Sequence, residues 1–140
     1  LVADLSIDDA DEIIGPAAAA GLDTVFMVTP NTHPERMKLI ASRTTGFIYT
    51  VSVLGVTGSR AELSDTIEGL VGRLKELTCV PVCVGFGISK PEHAAAVARA
   101  GADGVIIGSK IVGMIESNLG DREKTLAEIS AYLTEVKDAI

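Results

Sequence analysis

Apolar positions along the chain follow two rhythms. Short runs rich in Val, Ile and Phe stand at residues 1–3, 24–28, 46–51, 80–84 and 105–107. Continuous apolar runs of this length suit strands covered on both faces, as in a parallel sheet. Between them the apolar spacing lengthens to three and four: Met37, Ile40 and Ala41; Ile67, Leu70, Val71, Leu74 and Leu77; Ala94, Val97 and Ala98; Leu126, Ile129, Leu133, Val136 and Ile140. That period predicts helices with one apolar stripe. Start signals stand ahead of them: Ser6 with Asp9, Thr32 with Pro34 and Glu35, Ser64, Ser89 with Pro91 and Glu92, and Asp121. These are residues that accept a hydrogen bond from a helix's first free N–H groups. Gly21 is placed to stop the first helix. The predicted order is βαβαβαβαβα.

Two folds share that order. A doubly wound sheet needs a Gly-rich phosphate loop after its first strand, and Asp4, Leu5 and Ser6 supply none. A (β/α)8 barrel places its phosphate site after strands 7 and 8, beside a short extra helix. Here the Gly-rich turns follow the last three strands, and a short apolar segment, residues 110–115, follows the last. The barrel fits better. A whole barrel takes about 250 residues, whereas this chain has 140. The expectation is therefore an α/β chain forming part of a TIM barrel, about five βα units of parallel sheet corresponding to strands 4–8. No linker or low-complexity stretch interrupts it, so residues 1–140 are expected to form one domain.

Composition narrows the classes. The net charge of −7 argues against nucleic acid as a partner. No run of about 18 apolar residues predicts a membrane span, and neither terminus reads as a targeting segment. The chain opens on Leu1-Val2-Ala3, inside a strand-like run, as a piece of a longer protein would. Cys79 and Cys83 have no second Cys/His cluster near them, which speaks against a metal; two reduced thiols fit a cytoplasmic location. His33 and His93 fall in helix first turns with no partner at ligand spacing, and Glu68, Glu76, Glu128 and Glu135 read as solvated helix faces.

The candidate chemistry lies at the C-terminal strand ends. Gly108-Ser109 closes a β-branched strand and opens a helix, exposing backbone N–H groups that suit a phosphate. By itself this is equally a tight strand-to-helix turn. Gly85-Phe86-Gly87, one βα unit earlier, adds a second turn able to donate to the same anion. Lys110 follows directly, either as further charge for the phosphate or as a solvent-facing lysine.

Tyr49 with Gly55-Val56-Thr57-Gly58, then Gly85-Phe86-Gly87-Ile88-Ser89, then Gly108-Ser109, resembles the tryptophan synthase α subunit family across essentially all 140 residues. Leu1-Val2-Ala3-Asp4 resembles the end of that family's fourth strand. The resemblance implies retro-aldol cleavage of indole-3-glycerol phosphate to indole and glyceraldehyde 3-phosphate, without cofactor, beside a β subunit that takes up the indole in an α2β2 complex. It implies that Gly85, Phe86, Gly87, Gly108 and Ser109 clamp the phosphate and substrate and that Tyr49 lines the site near the glycerol. Thr57 and Gly58 would belong to a lid, and Leu1 and Met27 to the indole pocket wall. The family's two acid–base carboxylates are expected upstream of Leu1, so no catalytic residue is assigned within this chain and little activity is expected from it alone. Asp4 is expected to orient a loop or face the β subunit. Two other readings stay open: another phosphate-binding barrel enzyme, and a non-catalytic partial barrel that self-associates through open strand edges.

Overall fold

The computed structural model describes residues 1–51, 60–85 and 87–140, with only the backbone of residues 60–66. Four strands form one parallel sheet in the order β1-β2-β3-β4: β1 (Phe26–Val28), β2 (Ile48–Val51), β3 (Val82–Gly85) and β4 (Gly104–Ile106). Six α-helices accompany them: α1 (Asp11–Ala19), α2 (Pro34–Arg43), α3 (Arg60–Leu77), α4 (Pro91–Arg99), α5 (Ser109–Ser117) and α6 (Arg122–Asp138). Neighbouring strands are consecutive in the chain. With crossovers of one hand, that order puts every helix on the same face of the sheet, whereas a doubly wound sheet reverses direction and covers both. This is the barrel alternative.

The register makes the two faces explicit. Phe26, Ile48 and Val82 lie opposite one another, as do Val28, Thr50, Val84 and Val105. The first two residues of each row are buried, as are Val82 and Val84, and they share one core with Met37, Ile40, Leu70, Leu74, Val97 and Val136 from the helices. Met27, Tyr49, Cys83 and Gly104 form the alternating row on the other face and are only partly covered.

Several expectations shift. The strand expected at residues 1–3 is not part of the sheet. Leu5 N donates to Val2 O across 3.2 Å, a local turn in place of ladder pairing, so four βα units are seen where about five were expected. Helix starts also move. His33 rather than Thr32 caps α2, and Lys90 rather than Ser89 precedes α4. In both cases the following residue is proline, which holds its predecessor in extended backbone and makes it the cap. Thr32 Oγ1 instead accepts from Thr29 N at 2.9 Å. Ser64 lies inside α3, which starts at Arg60 because Arg60, Ala61, Glu62 and Leu63 are all good helix formers. Ser6 and Asp121 do cap, accepting from Asp8 N at 3.3 Å and Lys124 N at 3.0 Å, though Ser6 opens a 3-10 turn (Ile7–Asp9) rather than α1. Gly21 takes φ +70° just past α1.

The stripe on α6 departs furthest from its expected role. Tyr132 and Val136 are its buried residues, while Leu126, Leu133 and Ile140 are exposed. Together with Val112, Ile115 and Leu119 they leave an open apolar surface over α5 and α6. A groove of about 310 Å3 runs through it, bounded by Ile115, Leu119 and Leu126.

Candidate functional site

The parallel arrangement brings all four C-terminal strand ends to one rim. At β2, Tyr49 points away from the helices and its ring reaches two residues toward the rim, to the level of Gly85. Its hydroxyl, Cζ and Cε1 would stand 2.5, 2.8 and 2.9 Å from a β-carbon placed on Gly85. Gly85 is buried, and any side chain there would occupy the space of the Tyr49 ring. Glycine at this position is thus a packing requirement of the phenol beside it.

Gly85 and Ile106 are register partners, and Gly87 and Gly108 each lie two residues further along the chain. Gly87 is exposed with φ +80°, a backbone conformation that glycine adopts without strain. Gly108 caps α5 with no side chain of its own. Its carbonyl accepts from Ile111 N at 2.9 Å and Val112 N at 3.1 Å. The N–H groups of Gly108, Ser109 and Lys110 donate to no acceptor among the described residues, and all three residues are exposed. Beyond its chain neighbours and own helix backbone, no atom of the described residues lies within 4 Å of where a Gly108 β-carbon would be. The result is an open, electropositive helix start with the Ser109 hydroxyl beside it.

At the β1 end, a cavity of about 170 Å3 is lined by Val2, Ala3, Leu5, Phe26 and Met27, with Arg36 among its polar groups. Arg36 Nη2 donates to Ser6 Oγ at 2.8 Å and pairs with Asp8. Met27 is among the residues lining this recess, which also presents Ser6 and Arg36. Leu1 is 60% exposed and its neighbours Val2 and Ala3 line the recess instead. Asp4 is exposed on the turn before Ser6. Thr57, Gly58 and Phe86 lie outside the described residues.

The opposite, N-terminal end of the sheet holds a polar clip that the hydropathy pattern did not flag. The Asp103 carboxylate accepts from Val82 N at 2.6 Å and pairs with Lys75, while Asp103 N donates to Val82 O at 2.8 Å. The Lys75 hydrogen bond holds the Asp103 carboxyl below the usual carboxylate range. Burial, with Asp103 adding to it, pushes the Cys83 thiol up, which makes it a poor nucleophile. The only advance signal was an Asp immediately before Gly104 at a strand start.

Other expected solvated groups have partners. His93 is half-buried and its Nδ1 accepts from Ser89 N at 3.4 Å. Glu128 accepts from Asn118 Nδ2 at 2.7 Å. Lys110 faces α6, its ammonium 5.8 Å from the centre of the Tyr132 ring. Among the described residues no three His, Cys, Asp or Glu side chains gather as a metal site, and no helix is long and apolar enough to cross a membrane.

Comparison with known proteins bears on the whole length. The family model described as "Tryptophan synthase alpha chain" matches residues 1–140. Curated proteins of that name from Methanothermobacter thermautotrophicus and Methanoregula boonei are 44% and 42% identical over 139 residues, which is 99% of this chain and 52% of each relative. Among solved structures, one from a study of the tryptophan synthase α2β2 complex of Pyrococcus furiosus superposes with a TM-score of 0.82 at 39% identity. The superposition covers 96% of this chain and 53% of that one. An Aquifex aeolicus structure superposes with a TM-score of 0.82 at 29% identity over 100% of this chain and 49% of its own. The chain spans about half the length of the curated relatives it matches.

Proposed function

Since the chain belongs to the tryptophan synthase alpha chain family, we propose that it supplies the substrate-holding half of an indole-3-glycerol phosphate lyase of tryptophan biosynthesis. The observation that carries this reading is the open start of α5. Three N–H groups, from Gly108, Ser109 and Lys110, have no acceptor among the described residues, at the end of the strand that pairs with the one ending at Gly85. A phosphate monoester meets donors and a helix dipole there at no desolvation cost to a competing side chain. Tyr49, held against Gly85, lines the path from the phosphate toward the glycerol carbons. Met27, which lines the recess at β1 with Phe26, would give the indole ring an apolar side. Phe86 would complete the clamp, and Thr57 and Gly58 a lid that excludes water.

Retro-aldol cleavage breaks the bond between the indole ring and the glycerol carbon. A proton is delivered to the ring carbon as another leaves the glycerol hydroxyl. Among the described residues no carboxylate stands at a strand's C-terminal end, so this half binds and orients while the acid–base pair comes from elsewhere in the barrel. Asp4, exposed on its turn, serves loop orientation or contact with a β subunit. The free thiols of Cys79 and Cys83 accord with work in the cytoplasm.

The decisive assay is indole release from indole-3-glycerol phosphate by this chain and by a whole alpha chain of the family. The whole chain is expected to turn over and the 140-residue chain to show at most a trace. Turnover by the short chain at a rate comparable to the whole enzyme would overturn the division of labour.

A second reading concerns assembly. The sheet ends at β1 and β4, and the apolar surface of Val112, Ile115, Leu119, Leu126, Leu133 and Ile140 adjoins the β4 side. An alpha chain of this family uses a β subunit as partner. Expressed by itself, the 140-residue chain self-associates through that surface and its strand edges. Light scattering is expected to give a mass above that of one chain; a clean monomer at tens of micromolar would rule this out.

A further inference from the structure

We propose that Lys110 is a further determinant of phosphate affinity and that Tyr132 is its positioning residue; this rests on the phosphate reading of the α5 start. A lysine at the second position of a helix is placed against the positive end of the helix dipole, where acidic residues are preferred. No carboxylate pairs with Lys110 among the described residues; its ammonium lies over the Tyr132 ring at 5.8 Å. Its own N–H is one of the three unpaired donors. Cation and dipole therefore add at one spot, and no carboxylate among the described residues pairs with the cation.

Tyr132 fixes where that charge stands. It is 7% exposed, and its phenol oxygen is buried without a hydrogen-bond partner, so its place in α6 is maintained by packing and by the cation on its face. The α6 helix is in turn tied to α5. Asn118 donates through Nδ2 to Met114 O at 3.0 Å and to Glu128 at 2.7 Å, bridging the two helices. Held over the Tyr132 ring, the ammonium is assigned a place near the anion's approach but not in contact with it. This leaves direct contact to the backbone and lets Lys110 act through its field. A unit charge within about 10 Å of a bound phosphate at the protein surface changes affinity by a factor of about three to ten.

The test uses the 140-residue chain and inorganic phosphate at low salt, followed through the amide NMR signals of Gly108, Ser109 and Lys110. Lys110→Gln is expected to weaken binding about three- to tenfold and to flatten its salt dependence. Lys110→Arg, which keeps both charge and ring contact, is expected within twofold of wild type. Arg122→Gln removes the same charge from the start of the neighbouring helix and is expected to change affinity less than twofold. Tyr132→Leu, checked by circular dichroism for an intact fold, is expected to weaken binding two- to threefold by freeing the ammonium. Unchanged affinity in Lys110→Gln overturns the role of Lys110 and leaves the phosphate reading standing, as does an equal loss in Arg122→Gln. Phosphate that moves none of the three signals in wild type overturns the phosphate reading and this inference with it.

Discussion

The Tyr49 hydroxyl stands 2.5 Å from where a β-carbon on Gly85 would be. The two residues sit on neighbouring strands two register pairs apart, since Tyr49 pairs with Cys83 and Gly85 with Val51. Position 85 therefore sets where the phenol ends.

Gly85→Ala is expected to force the Tyr49 ring away from the rim. An added methyl in a packed site costs about 1–3 kcal/mol, so thermal unfolding should fall by about 3–10 °C. The ring signals of Tyr49 should shift more than those of Tyr132. An unchanged Tm with unchanged Tyr49 signals would show that the site accommodates the methyl.

Asp103 predicts a pH dependence. Its folded pKa is lowered, chiefly by the Lys75 hydrogen bond. Its contribution is fully present above the ordinary carboxylate value of about 4 and is lost as pH falls through the lowered folded value. Urea unfolding of wild type and Asp103→Asn should differ at pH 7, with the mutant less stable, and converge at the acid end. A constant difference across that range would assign the effect to shape and not to charge.

Thr50 is fully buried on the helix-facing side of β2, and its hydroxyl has no hydrogen-bond partner. Thr50→Val keeps the shape and removes the unsatisfied group. Stability should rise by about 1 kcal/mol, read as a higher urea midpoint at unchanged slope. A drop would mean that the hydroxyl has a partner in solution.

Asn118 joins the end of α5 to α6 and is 7% exposed. Asn118→Ala leaves the Met114 carbonyl and Glu128 without that donor, a loss of about 1–3 kcal/mol. Hydrogen exchange should speed up in α6 before it does in β2 and β3. Uniform acceleration across the sheet would show that α6 does not open separately.

Much of this was legible in one dimension. Strand runs rich in Val and Ile at residues 24–28 and 46–51 contain β1 and β2, and those at 80–84 and 105–107 overlap β3 and β4, which each reach one residue beyond, to Gly85 and Gly104. The 3–4 spacing of Leu70, Val71 and Leu74 marks the buried face of α3. Gly85, Gly87 and Gly108 fall at or just past strand ends, where a chain leaving a sheet beside another backbone needs small residues. The starts of α2 and α4 lie one residue beyond Thr32 and Ser89, because proline dictates the conformation of its predecessor and overrides the better capping side chain.

Local sequence alone determined which segments are strands and helices, their order, and which turns could hold an anion. Periodicity, proline and glycine act over a few residues. Only the tertiary structure decided that residues 1–3 turn instead of pairing and that α6 buries Tyr132 while Leu126 and Leu133 stay open. It also decided that Tyr49 and Gly85 must be chosen together, and that Lys110 is held over Tyr132 beside three unpaired N–H groups. Those outcomes depend on which neighbour a strand or helix face meets, and that is settled by register and packing between segments distant in the chain.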